Sequence, residues 1–171
     1  MKKLIGAICS LVAGALTFVF LSIPNIVSTL AVALLGSTTK SETAWEILEN
    51  YDSNTDGYVL FKIAIIVMIV FACLSIITGI LLLFKNLGTI KAKANINLIN
   101  NVMLSLLAAA TIVAFVATII MCNYFGSDAF VVATKGEIGI GMWLNFAINI
   151  VLCTLAFVFA NPVKTKKISK R

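Results

Sequence analysis

The sequence predicts an all-α membrane protein, a four-transmembrane-helix bundle with a larger first outer loop that contains a short helix. Its 171 residues are 61% hydrophobic and only 12% charged, whereas soluble domains carry about 25% charged residues. Four uncharged stretches, 4–23, 63–84, 102–122 and 138–160, each have roughly the 20 residues that a helix needs to cross a bilayer core. The chain is therefore predicted to be a single membrane domain, 1–171.

Helices are expected in these stretches because backbone groups in lipid must be satisfied within the segment. Transmembrane strands would instead show short alternating segments, and these runs are continuously apolar. The first stretch follows two lysines and resembles a signal peptide. We interpret it as an uncleaved first helix, because it runs for 20 residues before Pro24 and the apolar region of a signal peptide is only about 7–15 residues long.

The distribution of charge predicts the orientation of the bundle. Ten of the thirteen basic residues lie in the N-terminal segment, the loop 85–101 and the tail 161–171, and all seven acidic residues lie in the loops 24–62 and 123–137. Basic residues in short loops remain on the cytoplasmic side, so both termini are predicted to be cytoplasmic in a cell (plasma) membrane. The net charge of +6 then needs no nucleic-acid partner, because the basic tail can bind anionic membrane lipids.

The outer loop 24–62 changes character along its length. Its first part, 25–36, is still apolar, which predicts either that the first helix continues past Pro24 or that this segment lies on the membrane surface. Thr43 and Glu46 then have the spacing of a capping box, and they predict the short helix. The second outer loop, 123–137, is shorter.

Four apolar or aromatic residues in this acidic loop are candidates for binding a partner, because such side chains anchor protein interfaces. The expected partner is another membrane or surface protein, or a second copy in a homo-oligomer. Packing of the same side chains onto the helix ends is an equally reasonable interpretation. The candidates are Trp45, Ile47, Leu48 and Tyr51.

Helix four carries Asn145 and Asn149, which are spaced to lie on one face. An asparagine inside a membrane needs a polar partner, so this intramembrane polar face is expected to point into the bundle or toward another protein. We favour hydrogen bonds between helices over a polar pathway or a ligand contact. The absence of charged residues from all four stretches argues against proton-coupled pumps and voltage sensors.

One short motif has the spacing of metal ligands. Asp52, Asn54 and Asp56, followed by Gly57, match the first half of a calcium loop, and over about a dozen residues the segment resembles half of an EF-hand. Ile63 stands where that loop has a bidentate acid. The motif therefore predicts at most a weak Ca²⁺ site, and the alternative is a turn rich in Asp and Asn.

The predicted topology is similar to that of claudins and tetraspanins, with four helices, a larger first outer loop and cytoplasmic termini. The chain lacks the Gly-Leu-Trp and Cys-Cys-Gly motifs of those families, and its outer loops contain no cysteine. The resemblance therefore extends to the topology alone.

The expected function is non-enzymatic. The chain has no histidine, the commonest general base and metal ligand, and no Cys-x-x-Cys pair among its four cysteines. We expect a structural, accessory or scaffold protein that needs no cofactor. The alternatives are a small oligomeric channel or transporter accessory subunit, and a lipid-modifying enzyme. Twelve lysines against one arginine suggest a bacterial, AT-rich genome.

Overall fold

The computed structural model describes residues 2–32, 36–50, 56–90, 95–124, 127–128 and 132–160. Within these ranges the chain forms five helices and four strands. In order they are α1 (Lys2–Leu21), β1 (Pro24–Val32), β2 (Gly36–Thr43), α2 (Ala44–Asn50), α3 (Asp56–Asn86), α4 (Ile96–Tyr124), β3 (Ser127–Asp128), β4 (Val132–Ile138) and α5 (Ile140–Ala160).

The four long helices form the predicted bundle. α3 packs against α1 and α4, and α5 packs against the same two helices. All four are long and apolar enough to cross a membrane, and between a third and a half of each span is buried inside the protein. Large apolar side chains cover their outer faces, where lipid is their solvent. The protein is therefore a multi-pass membrane protein with four spans, as the sequence predicts.

Two of the helices are longer than the uncharged stretches that predict them. α3 begins at Asp56 rather than at residue 63, and α4 begins at Ile96 rather than at residue 102. The uncharged stretch marks only the part of a helix that lies in hydrocarbon, while the helix itself continues through residues suited to the interface, such as Tyr58 and Lys62. The predicted outer loop 24–62 therefore ends in a helical segment.

A small antiparallel sheet at one end of the bundle was not predicted from the sequence. Its strand order is β2-β1-β4-β3, so it combines two strands from each of the two loops at this end. The apolar segment after Pro24 is a strand over Pro24–Val32, so the first helix does not continue past Pro24. β1 is rich in the β-branched residues that fit a pleated surface, and β2 begins at Gly36, whose φ of 93° favours glycine.

The sheet packs against one end of the bundle, and we call this end of the molecule the sheet end. Ile26 on β1 is 1% exposed and belongs to the main hydrophobic core. A Cβ on Gly136 of β4 would lie 2.7 Å from the carbonyl oxygen of Cys122, so β4 rests directly on the last turns of α4. The part of the sheet around Ile26 and Gly136 therefore continues the core of the bundle.

Candidate functional site

The short helix α2 is fixed at its start by the predicted capping box. The Thr43 backbone N–H donates to Glu46 Oε2 at 2.8 Å, and the Glu46 N–H donates to Thr43 Oγ1 at 3.2 Å. The hydrogen bonds from the backbone N–H and then the hydroxyl of Thr43 hold the pKa of Glu46 below its usual value. This pairing sets the position at which β2 ends and α2 begins.

The apolar side chains of α2 face the bundle. Ile47 is completely buried, and its carbonyl oxygen accepts a hydrogen bond of 2.7 Å from the hydroxyl of Tyr58 on α3. Leu48 is partly buried against the same core. Of the four predicted partner-binding residues, these two therefore attach α2 to the bundle.

Trp45 occupies a different position, at the surface. Its side chain is 37% exposed, and its indole N–H donates to Ser22 Oγ at 3.2 Å. This hydrogen bond connects α2 to the end of α1 while part of the ring remains accessible. Tyr51, the fourth predicted residue, lies outside the described residues.

The junction between α1 and the sheet is built around the buried residue Asn25. Its side-chain amide donates to the carbonyl oxygens of Phe20, Leu21 and Ile23 at the end of α1. A helix leaves its last carbonyls without partners, and this side chain satisfies them. The carbonyl oxygen of Asn25 in turn accepts a 2.7 Å hydrogen bond from the N–H of Gly139, just before α5. One residue thus joins α1, β1 and the start of α5.

The sheet face that points away from the bundle is polar, and we call it the free sheet face. In one row across it Val27 lies between Ser41 and Glu137, and in the next Thr29 lies between Thr39 and Lys135. Lys135 and Glu137 form an exposed ion pair of 2.6 Å. Their hydrogen bond and charge attraction raise the pKa of Lys135 and lower that of Glu137. Such exposed pairs add little stability, so they define mainly the charge pattern of this face.

Strand β2 forms one edge of this sheet. Residues 36–41 are all exposed, and Glu42 is buried. The ammonium group of Lys40 lies 2.5 Å from Glu42 Oε1, with 74% of the Lys40 side chain exposed against 5% of the Glu42 side chain. This edge was not predicted from the sequence. The available signal was the high Ser and Thr content of β2, but such a composition is also typical of loops.

Asn145 and Asn149 lie in the interior of the bundle, where they join its helices. The Asn149 amide lies 3.1 Å from Thr17 Oγ1 on α1, 3.2 Å from Thr111 Oγ1 on α4 and 2.7 Å from Asn145 Oδ1. The Asn145 amide contacts the sulfur of Met68 on α3 at 3.3 Å. The two asparagines are 0% and 2% exposed. This polar cluster connects all four spans and presents neither amide to lipid.

The predicted calcium motif falls mostly on residues that the structure does not describe, which include Asp52 and Asn54. Asp56 is the first residue of α3. The positions that would continue a calcium loop, 58–63, lie in this helix, and the Ca²⁺ site stays a prediction. In the described part of the chain, no three His, Cys, Asp or Glu side chains come together in a way that could hold a metal ion.

An apolar groove of about 270 Å³ lies between α3 and α4. Ala64 and Ala110 are almost completely buried, and the larger side chains of Leu60, Phe71 and Leu106 also line the groove. Because both helices are membrane spans, this groove lies at the depth of the bilayer and is suited to hydrocarbon.

Comparison with known proteins assigns no family. No protein-family model matches the chain, and no curated protein matches it significantly. The features that bear on function are therefore those of the molecule itself: the sheet end, the polar cluster and the apolar helix faces.

Proposed function

We propose that this chain is a non-enzymatic protein of the plasma membrane that acts through protein–protein contacts, and that the sheet end is its binding surface. The observation that carries the proposal is the single sheet built from both loops, with one face on the bundle and one face free. A structural, accessory or scaffold role follows from a surface of this kind on a membrane anchor.

The sheet end has the properties of a pre-organised surface. Asn25 links the sheet to α1 and α5, and Tyr58 and Ile47 link α2 to α3. Surfaces held in their bound conformation lose less entropy on association. Ser, Thr, Lys and Glu side chains on the free sheet face offer hydrogen bonds and charges to a partner. The exposed part of Trp45, at the start of α2, offers an apolar contact at the same end of the bundle.

The orientation is part of the proposal. The sheet end contains the loops with all the acidic residues, and the opposite end contains most of the basic ones. The preference of basic loops for the cytoplasm supports both termini inside and the sheet end outside the cell. Binding of the basic tail to anionic lipids would add attraction at the inner surface.

Site-specific photo-cross-linking in cells tests this function. A photoreactive amino acid at Thr29 or Thr39, both on the free sheet face, should yield discrete adducts with a protein partner. The same amino acid at Thr89, which is exposed near the end of α3 farthest from the sheet, should not yield those adducts. If Thr29 and Thr39 give no protein adducts, or the same adducts as Thr89, the sheet end is not the binding surface.

The polar cluster supports a structural role over a channel. The amides of Asn145 and Asn149 are directed at Thr17, Thr111 and Met68 inside the bundle, which leaves them no pore to line in one chain. A reproducible ion conductance in proteoliposomes that contain only this protein would contradict the proposed function.

A further inference from the structure

We propose that the partner of the sheet end is a second copy of this chain in the same membrane, joined by antiparallel pairing of β2 with its own counterpart. The proposal rests on the proposed function, because it names the partner of the same surface. It requires a free edge, a geometry that two copies in one bilayer can adopt, and a register that the charges allow.

Among the described residues the edge strand is β2. It is the terminal strand of the sheet, and an edge strand offers backbone N–H and C=O groups on its outer side. Six of its eight residues are exposed, and it packs mainly against β1 and α2 rather than against the membrane spans. The opposite edge strand, β3, is described over Ser127–Asp128 alone, so the described part of that edge offers no comparable ladder.

The protections of an edge strand are confined to one end of β2. Proteins commonly block such edges with prolines, bulges, very short strands or charged side chains, especially lysine. β2 has no proline, and its pairing with β1 is regular from Glu42 to Gly36, the one irregularity lying between Pro24 and Ile26. Its charges are Lys40 and Glu42, and its first four residues, 36–39, carry none. Pairing with a second copy therefore has to accommodate the two charged residues.

Pairing through β2 sets a requirement on the geometry of two copies in one bilayer. The copies share their orientation, so a symmetric pair must have its two-fold axis along the membrane normal. Two antiparallel strands of one sheet are related by a two-fold axis perpendicular to that sheet. Ile26 and Gly136 place part of one sheet face on the helix ends. The proposal requires the perpendicular to the sheet to follow the membrane normal in the dimer, so that the two axes coincide.

The charges on β2 select the register. If Ser41 faces Ser41 of the second copy, Lys40 of each chain lies opposite Glu42 of the other chain. Each Glu42 carboxylate then lies between the ammonium group of Lys40 in its own chain and that of Lys40 in the second copy. If the axis passed through Lys40, two lysines would lie opposite each other, which destabilises a sheet. A two-fold interface repeats each contact, so the favourable register forms the Lys40–Glu42 pair twice. The predicted centre of the interface is therefore Ser41.

Disulfide cross-linking tests the proposal in intact membranes. In a Cys73→Ala background, which removes the exposed native cysteine, Ser41→Cys should form a covalent dimer under mild oxidation. Residues opposite each other on antiparallel strands have Cα atoms about 4.5–5.5 Å apart, within the range of a disulfide. Ser37→Cys is the matched control on the same face of the same strand. In this register residue 37 of one chain is displaced by eight residues along the strand from residue 37 of the other chain. At about 3.4 Å per residue, the two cysteines would be roughly 27 Å apart.

The charge pairs give a second readout. Adding Lys40→Glu to the Ser41→Cys protein should lower the yield of covalent dimer several-fold, because it places like charges opposite each other. Lys135→Glu changes a lysine of similar exposure in the ion pair of β4 and should leave the yield unchanged. Equal effects of the two substitutions would contradict the predicted register.

The remaining outcomes separate this proposal from the proposed function. Reaction of Ser41→Cys with a soluble thiol reagent first shows that the position is accessible. If it is accessible and forms no dimer, or if Ser37→Cys cross-links equally well, the β2 pairing is wrong. If photo-cross-linking at Thr29 and Thr39 then still captures a different protein, the sheet end remains a binding surface and only the identity of the partner as a second copy fails.

Discussion

Thr17 and Asn149 are 132 residues apart in the chain, yet the hydroxyl oxygen of the first accepts a 3.1 Å hydrogen bond from the amide of the second in the bundle interior. Thr111 accepts a second hydrogen bond from the same amide. One side chain on the last helix thus fixes its rotation relative to the first and third spans. Hydrogen bonds between membrane helices have modest energies, so the main contribution of this cluster is to the register of the helices.

Removing one acceptor from this cluster should destabilise the bundle modestly. Thr111→Val keeps the shape of the side chain and removes a partner of Asn149, and we expect a loss of about 0.6–1.7 kcal/mol in the free energy of unfolding. Thr154→Val is the matched control, because Thr154 also donates to the carbonyl four residues earlier but is exposed. Unfolding in mixed micelles measures both. A loss for Thr154→Val as large as that for Thr111→Val would show that the cluster has no special contribution.

Close contact between α1 and α3 depends on a glycine. A Cβ at Gly14 would lie 2.7 Å from the carbonyl oxygen of Ala72, whereas a Cβ at Gly6 would have no neighbour within 4 Å. Gly14→Ala should therefore cost about 1–3 kcal/mol through overpacking. Gly6→Ala should be neutral, or should stabilise α1 by roughly 0.5–1 kcal/mol because alanine is the better helix former.

Thermal unfolding in detergent distinguishes the two glycine substitutions. We expect the midpoint temperature of unfolding to be lower for Gly14→Ala than for the unaltered protein. For Gly6→Ala we expect this temperature to be unchanged or higher. Equal midpoints for the two variants would mean that the α1–α3 contact is looser than the structure shows.

The capping box at α2 makes its stability depend on pH. The folded-state pKa of Glu46 is below the usual carboxyl value of 4.5, so its contribution is fully present above that value and is lost as the pH falls through the lowered one. Hydrogen exchange of the α2 amides should accelerate in that acidic range relative to the amides of α1. Glu46→Gln removes the titrating group and should flatten the dependence. If the exchange rates of the α2 amides depend on pH in the same way in the unaltered protein and in Glu46→Gln, a group other than Glu46 causes the acceleration in acid.

Accessibility of two matched threonines tests the proposed orientation. In the Cys73→Ala background, Thr39→Cys should react with a membrane-impermeant thiol reagent on intact cells, and Thr89→Cys should react only after permeabilisation. Both side chains are exposed and lie at opposite ends of the bundle. The reverse pattern would place the sheet end in the cytoplasm.

The helices were predictable from the sequence because a membrane span is a local property. About 20 uncharged residues suffice to identify one, and the pair Thr43 and Glu46 suffices to start a short helix. The exact ends were less predictable, since α3 continues through Tyr58 and Lys62 without the signal of an apolar stretch. The spacing of Asn145 and Asn149 predicted a shared face, but not which hydroxyl groups they meet.

The sheet was not predictable in the same way. Ile26 pairs with Glu42 on one side and with Ile138 on the other, and two membrane spans, α3 and α4, lie between Ile26 and Ile138 in the chain. No local pattern in the first loop contains that information. The sequence left two interpretations of Ile47 open for a related reason, because an apolar side chain on a short loop helix has the same local pattern whether it contacts a partner or its own bundle.

The central place of β1 in the sheet has a consequence for biogenesis. β1 leaves the ribosome soon after the first span, but β4 is synthesised only after the third. During that interval only the hairpin partner β2 is available to β1, and a strand with an unpaired edge is prone to aggregate. Synthesis of β4, followed at once by the fifth helix, closes the sheet. A chain that ends before β4 would therefore lack the second neighbour of β1 even with its first three spans complete.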